Sequence, residues 1–192
     1  MAASDSGARR LVLGLGNPGL EYVATRHNLG FRDVEENARR RGLGLDGDLC
    51  RCQTAEDGEV LLAAPQTFMN RSGYAARCLV ERLGFASEEI LVVYDEIHLP
   101  LGKVRLRRAG SPAGHRGMES VIESLGTDQV PRLRLGIAPP EGTPPGEEIV
   151  SFVLGVFAQD ELELVDAMVA RAAEACDAWA REGAEAAMRL NG

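Results

Sequence analysis

Uniformly apolar runs of strand length alternate along the chain with segments whose apolar positions recur every three or four residues, which predicts strands and helices in turn. Leu11-Val12-Leu13, residues 60–64 and residues 90–94 are runs of the first kind, bounded by glycine or polar residues. Residues 28–41 place Phe31, Val34 and Ala38 on one helical face with Gly42 as the stop, and residues 73–83 form a second helix ended by Gly84. Residues 103–107 and 132–135 alternate basic and apolar side chains, as strands with one wet face do, and residues 117–125 between them read as helix. By the two-residue period Arg105 and Arg107 share a face, and so do Arg132 and Arg134. With four prolines and two glycines, residues 139–146 predict a loop, extending over 139–148. After it, Leu162, Val165, Val169, Ala172, Cys176 and Trp179 mark a long C-terminal amphipathic helix packed on the body. The order of elements implies an α/β fold with a layered sheet.

A chain of 192 residues is long enough for one substantial core, so a single domain over residues 1–192 is expected, with residues 1–9 flexible. Hydrophobic residues make up 45% and charged residues 26%, too apolar a balance for a disordered chain. The first ten residues lack the apolar stretch of a secretory signal, and no run of uncharged apolar residues is long enough to span a bilayer. A cytoplasmic protein without a membrane partner is the expectation. Cys50, Cys52, Cys78 and Cys176 follow no framework spacing, and Cys50-x-Cys52 has no second pair, so all four are expected as reduced thiols.

The net charge of -8 argues against a polyanionic partner until its distribution is considered. Residues 141–185 hold eleven acids and two bases, so the acid is concentrated toward the C-terminus. Residues 103–116 contain Lys103, Arg105, Arg107, Arg108 and Arg116 and no acid, and Arg132 and Arg134 follow, so one face is expected to be locally basic.

Candidate chemistry lies at the junctions between elements. Gly14-Leu15-Gly16-Asn17-Pro18-Gly19 follows a strand and fits the dinucleotide-binding glycine pattern, but Pro18 has no N–H for a pyrophosphate and no clear strand-ending acid follows about 20 residues on, as ribose binding requires. Thr25-Arg26-His27-Asn28 sits where a loop enters a helix. There His27 is either a surface or capping residue or, held on fixed backbone, a catalytic base. Asp95 follows the apolar run 90–94, where a carboxylate could orient an imidazole; its plainer reading is a turn residue on the way to Pro100 and Gly102. Asn70 precedes a helix and is either an N-cap or a site residue. Residues 110–117, rich in glycine, open a helix and suit either an anion at its N-terminus or a flexible turn. His27, His98, His115, Asp95 and Glu96 lack helical metal-ligand spacing, so no metal is expected, and the absence of a G-x-S-x-G elbow leaves a serine nucleophile unsupported.

In this order the motifs resemble the bacterial-type peptidyl-tRNA hydrolase family: residues 14–19, Tyr22, Thr25-Arg26-His27-Asn28, Thr67-Phe68-Met69-Asn70-x-Ser72-Gly73, Tyr94-Asp95, Leu99-Pro100-Leu101-Gly102, Gly114-His115 and residues 132–137. The match runs from about Leu11 to Phe157. The resemblance implies a monomer with a twisted mixed β-sheet flanked by helices, hydrolysis of the ester joining peptide to tRNA, and no cofactor. It implies His27 as general base and Asp95 as its orienting partner. Asn17, Tyr22, Met69, Asn70, His115 and Arg116 fall with the substrate cleft, and Arg107 and Arg134 with the tRNA phosphates. Two departures stand out: Arg116 where the family usually has Asn after the loop histidine, and His98 where an Asp is usual. A guanidinium only donates, so any accepting role at position 116 is lost. The alternative reading is a non-catalytic RNA-binding relative of the same fold. A nucleotide-dependent oxidoreductase rests on the glycine pattern alone.

Overall fold

The computed structural model describes residues 10–190; the expectation for residues 1–9 lies outside them. The apolar runs become the interior of a seven-stranded mixed sheet. Its strands are β1 (Arg10–Gly14), β2 (Gly47–Leu49), β3 (Cys52–Glu56), β4 (Val60–Pro65), β5 (Ile90–Pro100), β6 (Val104–Arg107) and β7 (Arg132–Ala138), in the order β2-β3-β4-β1-β5-β7-β6. The four inner strands β4, β1, β5 and β7 are parallel, and β2, β3 and β6 pair antiparallel at the two edges. β4 is buried along its length, as a strand covered on both faces must be.

Helices cover both faces. On one side α1 (Leu29–Arg40) and α5 (Leu162–Glu182) pack Val34, Ala38, Val165, Met168, Ala172, Cys176 and Trp179 against Val12, Leu62, Leu91 and Leu133. On the other, α2 (Ser72–Leu83) and α3 (Arg116–Leu125) pack Ala75, Ala76, Leu79, Met118 and Val121 against Leu11, Leu13, Ile90 and Val92. Gly73 permits the α2–α3 crossing, since a Cβ there would lie 1.9 Å from the Ser120 carbonyl oxygen. Short helices α4 (Ile149–Val153) and α6 (Ala184–Leu190) complete the layers. Among the described residues no helix is long and apolar enough to cross a membrane.

Two expectations, on the cysteines and on Arg132, are corrected, and one of the two readings of Asp95 is closed. Cys50 and Cys78 form a disulfide, with Cα atoms 5.6 Å apart; only Cys52 and Cys176 are free, both buried. Spacing along the chain cannot show that the turn after β2 lies on α2. Asp95 is not a turn residue. β5 continues to Pro100 because β7 pairs with it through Asp95 and Glu96, with a register shift before Pro100. Arg132 does not join the wet face: it is 2% exposed and donates to the carbonyls of Val130, Gly110, Ser111 and Asp128, anchoring the loop that leads to α3.

Candidate active site

The C-terminal ends of β1, β4 and β5 each feed a loop or strand end toward one cavity of about 490 Å³, the place where open parallel sheets present side chains to a ligand. Asn17 comes from the loop after β1, Met69 and Asn70 from the segment after β4, Asp95 from β5 itself, and His27 from the 3-10 turn before α1. His115 and Arg116 enter from the start of α3. Glycines make the approach possible. A Cβ on Gly14 would meet the Gly30 carbonyl oxygen at 2.1 Å, and one on Gly117 would meet Met69 Sδ at 2.4 Å. Gly14, and Gly16 against the Phe31 ring, therefore serve close packing of α1 on β1 and its loop.

At the floor, His27 Nδ1 lies 2.9 and 3.0 Å from the two oxygens of Asp95. The carboxylate is 2% exposed and the imidazole 13%. Burial by itself would lower the His27 pKa, but the adjacent carboxylate, by charge and by hydrogen bond, outweighs it and the net direction is up from about 6.5. For Asp95, burial pushes the pKa up, while the neighbouring imidazoles of His27 and His115 pull it well below the ordinary carboxylate range.

Asn28, part of the motif with His27 but given no role there, acquires one in the structure. It is buried, accepts from the Asn17 N–H and donates to the Asn17 carbonyl, both at 2.9 Å, so it ties the β1 loop to the turn carrying His27. Its signal in the sequence is its place in the Thr25-Arg26-His27-Asn28 motif. Asn17 in turn accepts the Met69 N–H at 2.8 Å through Oδ1, which leaves Nδ2 without a protein partner among the described residues. Asn70 caps no helix: α2 begins at Ser72, and the Asn70 side chain is exposed at the cavity. Tyr22 does not line the cavity; its carbonyl accepts from Thr25.

Part of the lining is apolar: α4 and its end contribute a wall of Ile149, Val150, Val153 and Leu154, and Phe68 and Ile97 line the same cavity. Arg26 holds this wall to the His27 turn. It donates to the Val156 carbonyl and to Glu161, and its guanidinium lies 4.5 and 5.0 Å from the rings of Phe152 and Phe157.

β6 and β7 pair Arg105 with Arg134 and Arg107 with Arg132, so the four positions lie on one sheet face, where Arg132 is the buried one. Lys103, Arg105 and Arg107 are exposed, with no acidic partner among the described residues. Arg134 bonds Glu96 at 3.2 Å. Arg116 is exposed at the cavity edge, also without an acidic partner among the described residues.

His27, Asp95 and His115 bring three ligand-type atoms within 4.8 Å of one another, so a metal must be considered. The donor set does not fit one. His115 Nδ1 accepts the Met118 N–H at 3.1 Å, which in a neutral ring leaves the proton on Nε2, the atom facing Asp95, with no lone pair to offer.

The family model described as Peptidyl-tRNA hydrolase matches residues 11–191. A protein named peptidyl-tRNA hydrolase from Methylacidiphilum infernorum is 42% identical over 183 residues, covering 95% of this chain and 97% of its own. Another of that name from Herpetosiphon aurantiacus is 46% identical over 189 residues, covering 95% and 90%. The crystal structure of peptidyl-tRNA hydrolase from Acinetobacter baumannii superposes with a TM-score of 0.86 at 32% identity, covering 97% of each chain.

Proposed function

Since this chain belongs to the peptidyl-tRNA hydrolase family, enzymes that hydrolyse peptidyl-tRNA, we propose that it cleaves the ester between peptide and tRNA with His27 as general base and Asp95 as the group that orients it. The observation that carries this reading is the bidentate contact of His27 Nδ1 with the buried Asp95 carboxylate at 2.9 and 3.0 Å. A carboxylate only accepts, so the His27 proton sits on Nδ1 and Nε2 keeps its lone pair for a water in the cavity. That water, losing its proton to Nε2, attacks the ester carbonyl. The resulting imidazolium, steadied by Asp95, returns the proton to the departing ribose oxygen, and peptide acid and tRNA leave. The ester has a good leaving group, so no covalent enzyme intermediate is required.

Asn17 Nδ2, left free once its Oδ1 is taken by Met69, and the exposed Asn70 amide supply donors for the developing oxyanion or the peptide main chain. The wall of Phe68, Ile97, Val150, Val153 and Leu154 offers apolar surface to peptide side chains. Arg107 and Arg134, with Arg105 on the same sheet face, meet phosphates, and Arg116 meets the 3′ end of the tRNA.

The deciding experiment is release of labelled peptide from N-blocked aminoacyl-tRNA by wild type and His27→Ala in metal-free buffer. Rapid release by the wild type, reduced at least about a hundredfold in the variant, is expected. A folded wild type that binds tRNA and releases nothing would replace this reading with RNA binding without hydrolysis.

A further inference from the structure

The hydrogen-bond roles of the two cavity histidines are opposite. An amide N–H can only donate, so the 3.1 Å bond from Met118 N makes His115 Nδ1 an acceptor, and the capping bond is available only to the neutral ring. The ring proton is then on Nε2, which lies 3.1 Å from Asp95 Oδ1. His27 faces the same carboxylate with Nδ1 and carries its proton there. One buried carboxylate thus receives two imidazole N–H groups, from rings whose centroids are 4.9 Å apart. His115 is held on its other contacts as well: it is the N-cap of α3, and the Tyr94 ring packs 4.6 Å from it.

We propose that His115 is a positioning residue of the hydrolase, acting as a neutral Nε2–H donor that fixes the orientation and charge of Asp95, and through Asp95 the tautomer and basicity of His27. This rests on the reading of His27 as base. Asp95 Oδ1 is shared by both rings whereas Oδ2 serves His27 alone. Loss of the His115 donor frees the carboxylate to rotate and leaves one of its buried lone pairs unmatched. The loop of residues 110–116 is thereby coupled to the proton-transfer step: Arg132 pins its start at the carbonyls of Gly110 and Ser111, and His115 ends it.

Two substitutions separate positioning from capping. Asn is a strong N-cap through Oδ1 but too short to reach Asp95, so His115→Asn keeps α3 capped and removes the donation. Gln carries an amide to the Nε2 position, so His115→Gln keeps a donor for Asp95. On N-blocked aminoacyl-tRNA the expected result for His115→Asn is a kcat lowered about tenfold with KM within about twofold, and for His115→Gln recovery of most of that loss. Nitrogen-15 NMR of the wild type at neutral pH is expected to show His27 protonated on Nδ1 and His115 on Nε2. The proposal is overturned if His115→Asn retains full kcat, if both rings show the same tautomer, or if the two variants lose activity equally in step with melting temperature. Full activity of His115→Asn alongside an inactive His27→Ala would remove this role while leaving the hydrolase reading in place.

Discussion

At His27 two influences of opposite sign meet, burial lowering its pKa and the Asp95 carboxylate raising it, and the carboxylate wins. A base of raised pKa loses its neutral form as pH falls through that value, so the acid limb of activity lies above the ordinary histidine value near 6.5. Asp95→Asn removes the charge and leaves the burial. The acid limb of kcat/KM on a short N-blocked ester is therefore expected to move to lower pH, while the plateau falls about a hundredfold or more because the favoured tautomer is lost. An unmoved limb would show that His27 is not the titrating group. A second carboxyl, Asp33, lies fully buried between α1 and α5, bonded to Asn37 at 3.0 Å and Cys176 at 3.4 Å, with Oδ1 unpartnered. Burial raises its pKa from 3.8 to about 7, opposed by the Cys176 bond and assisted by Asp177 and Glu36. Below about pH 4 both folded and unfolded states hold this proton; between there and about pH 7 only the folded state does, so stability falls as pH rises through that window and is level above it. Asp33→Asn is expected to flatten this decline and to melt higher than wild type near pH 8, as followed by calorimetry. A parallel decline in the variant would assign the pH dependence to other groups.

The elements follow the hydrophobic pattern wherever it is long and regular. Periodicity marks α1, α2, α3 and α5 with boundaries close to those observed, and glycines at 42 and 84 end α1 and α2 with φ of 68° and 77°. It does not mark β2 and β3, whose exposed positions carry ordinary polar residues, nor α4, which is only five residues long. α4 nevertheless contributes an apolar wall of the cavity, and the segment just after it is tied to the His27 turn where Thr25 bridges Val156 and Arg26 bonds the Val156 carbonyl. The α2–α3 crossing is similarly invisible in either helix alone. Gly73→Ala must move the Ser120 carbonyl away from a clash at 1.9 Å, and is expected to destabilise the fold by about 1–3 kcal/mol in urea titration. A neutral or stabilising effect, as helix propensity alone would give, would mean that the two helices can separate freely.

Across the whole molecule three acids of α5, Asp166, Glu174 and Asp177, pair with arginines on and just after α1. Arg32 meets Asp166, Arg40 meets Glu174 and Asp177, and Arg41 meets Asp177, so α1 and α5 are held by charge as well as by their apolar stripe. The β6–β7 face is left basic, and net charge describes neither face. Arg107→Ala is expected to weaken tRNA binding and to flatten the slope of log affinity against log salt by about 1, while cleavage of a short ester stays nearly unchanged. Equal losses on both substrates would place Arg107 in the catalytic step instead. Arg132, directly opposite Arg107 in the β6–β7 pairing, should behave differently, since its guanidinium is consumed by four carbonyls.

Local chemistry read in order along the chain is enough to establish the α/β class, the core-facing positions of the main helices, and the motif set that marks the family, because propensity, periodicity and spacing act over a few neighbouring residues. Proximity across the sheet is another matter. That Asp95 stands inside a strand rather than a turn, that Cys50 meets Cys78, that Arg132 is a buried anchor while Arg107 faces water, and that His115 donates to the carboxylate holding His27 all depend on which segments the strand order brings together. These contacts span 20 to 68 residues of sequence in the cases of His115 and His27 with Asp95, and no local rule acts over that distance.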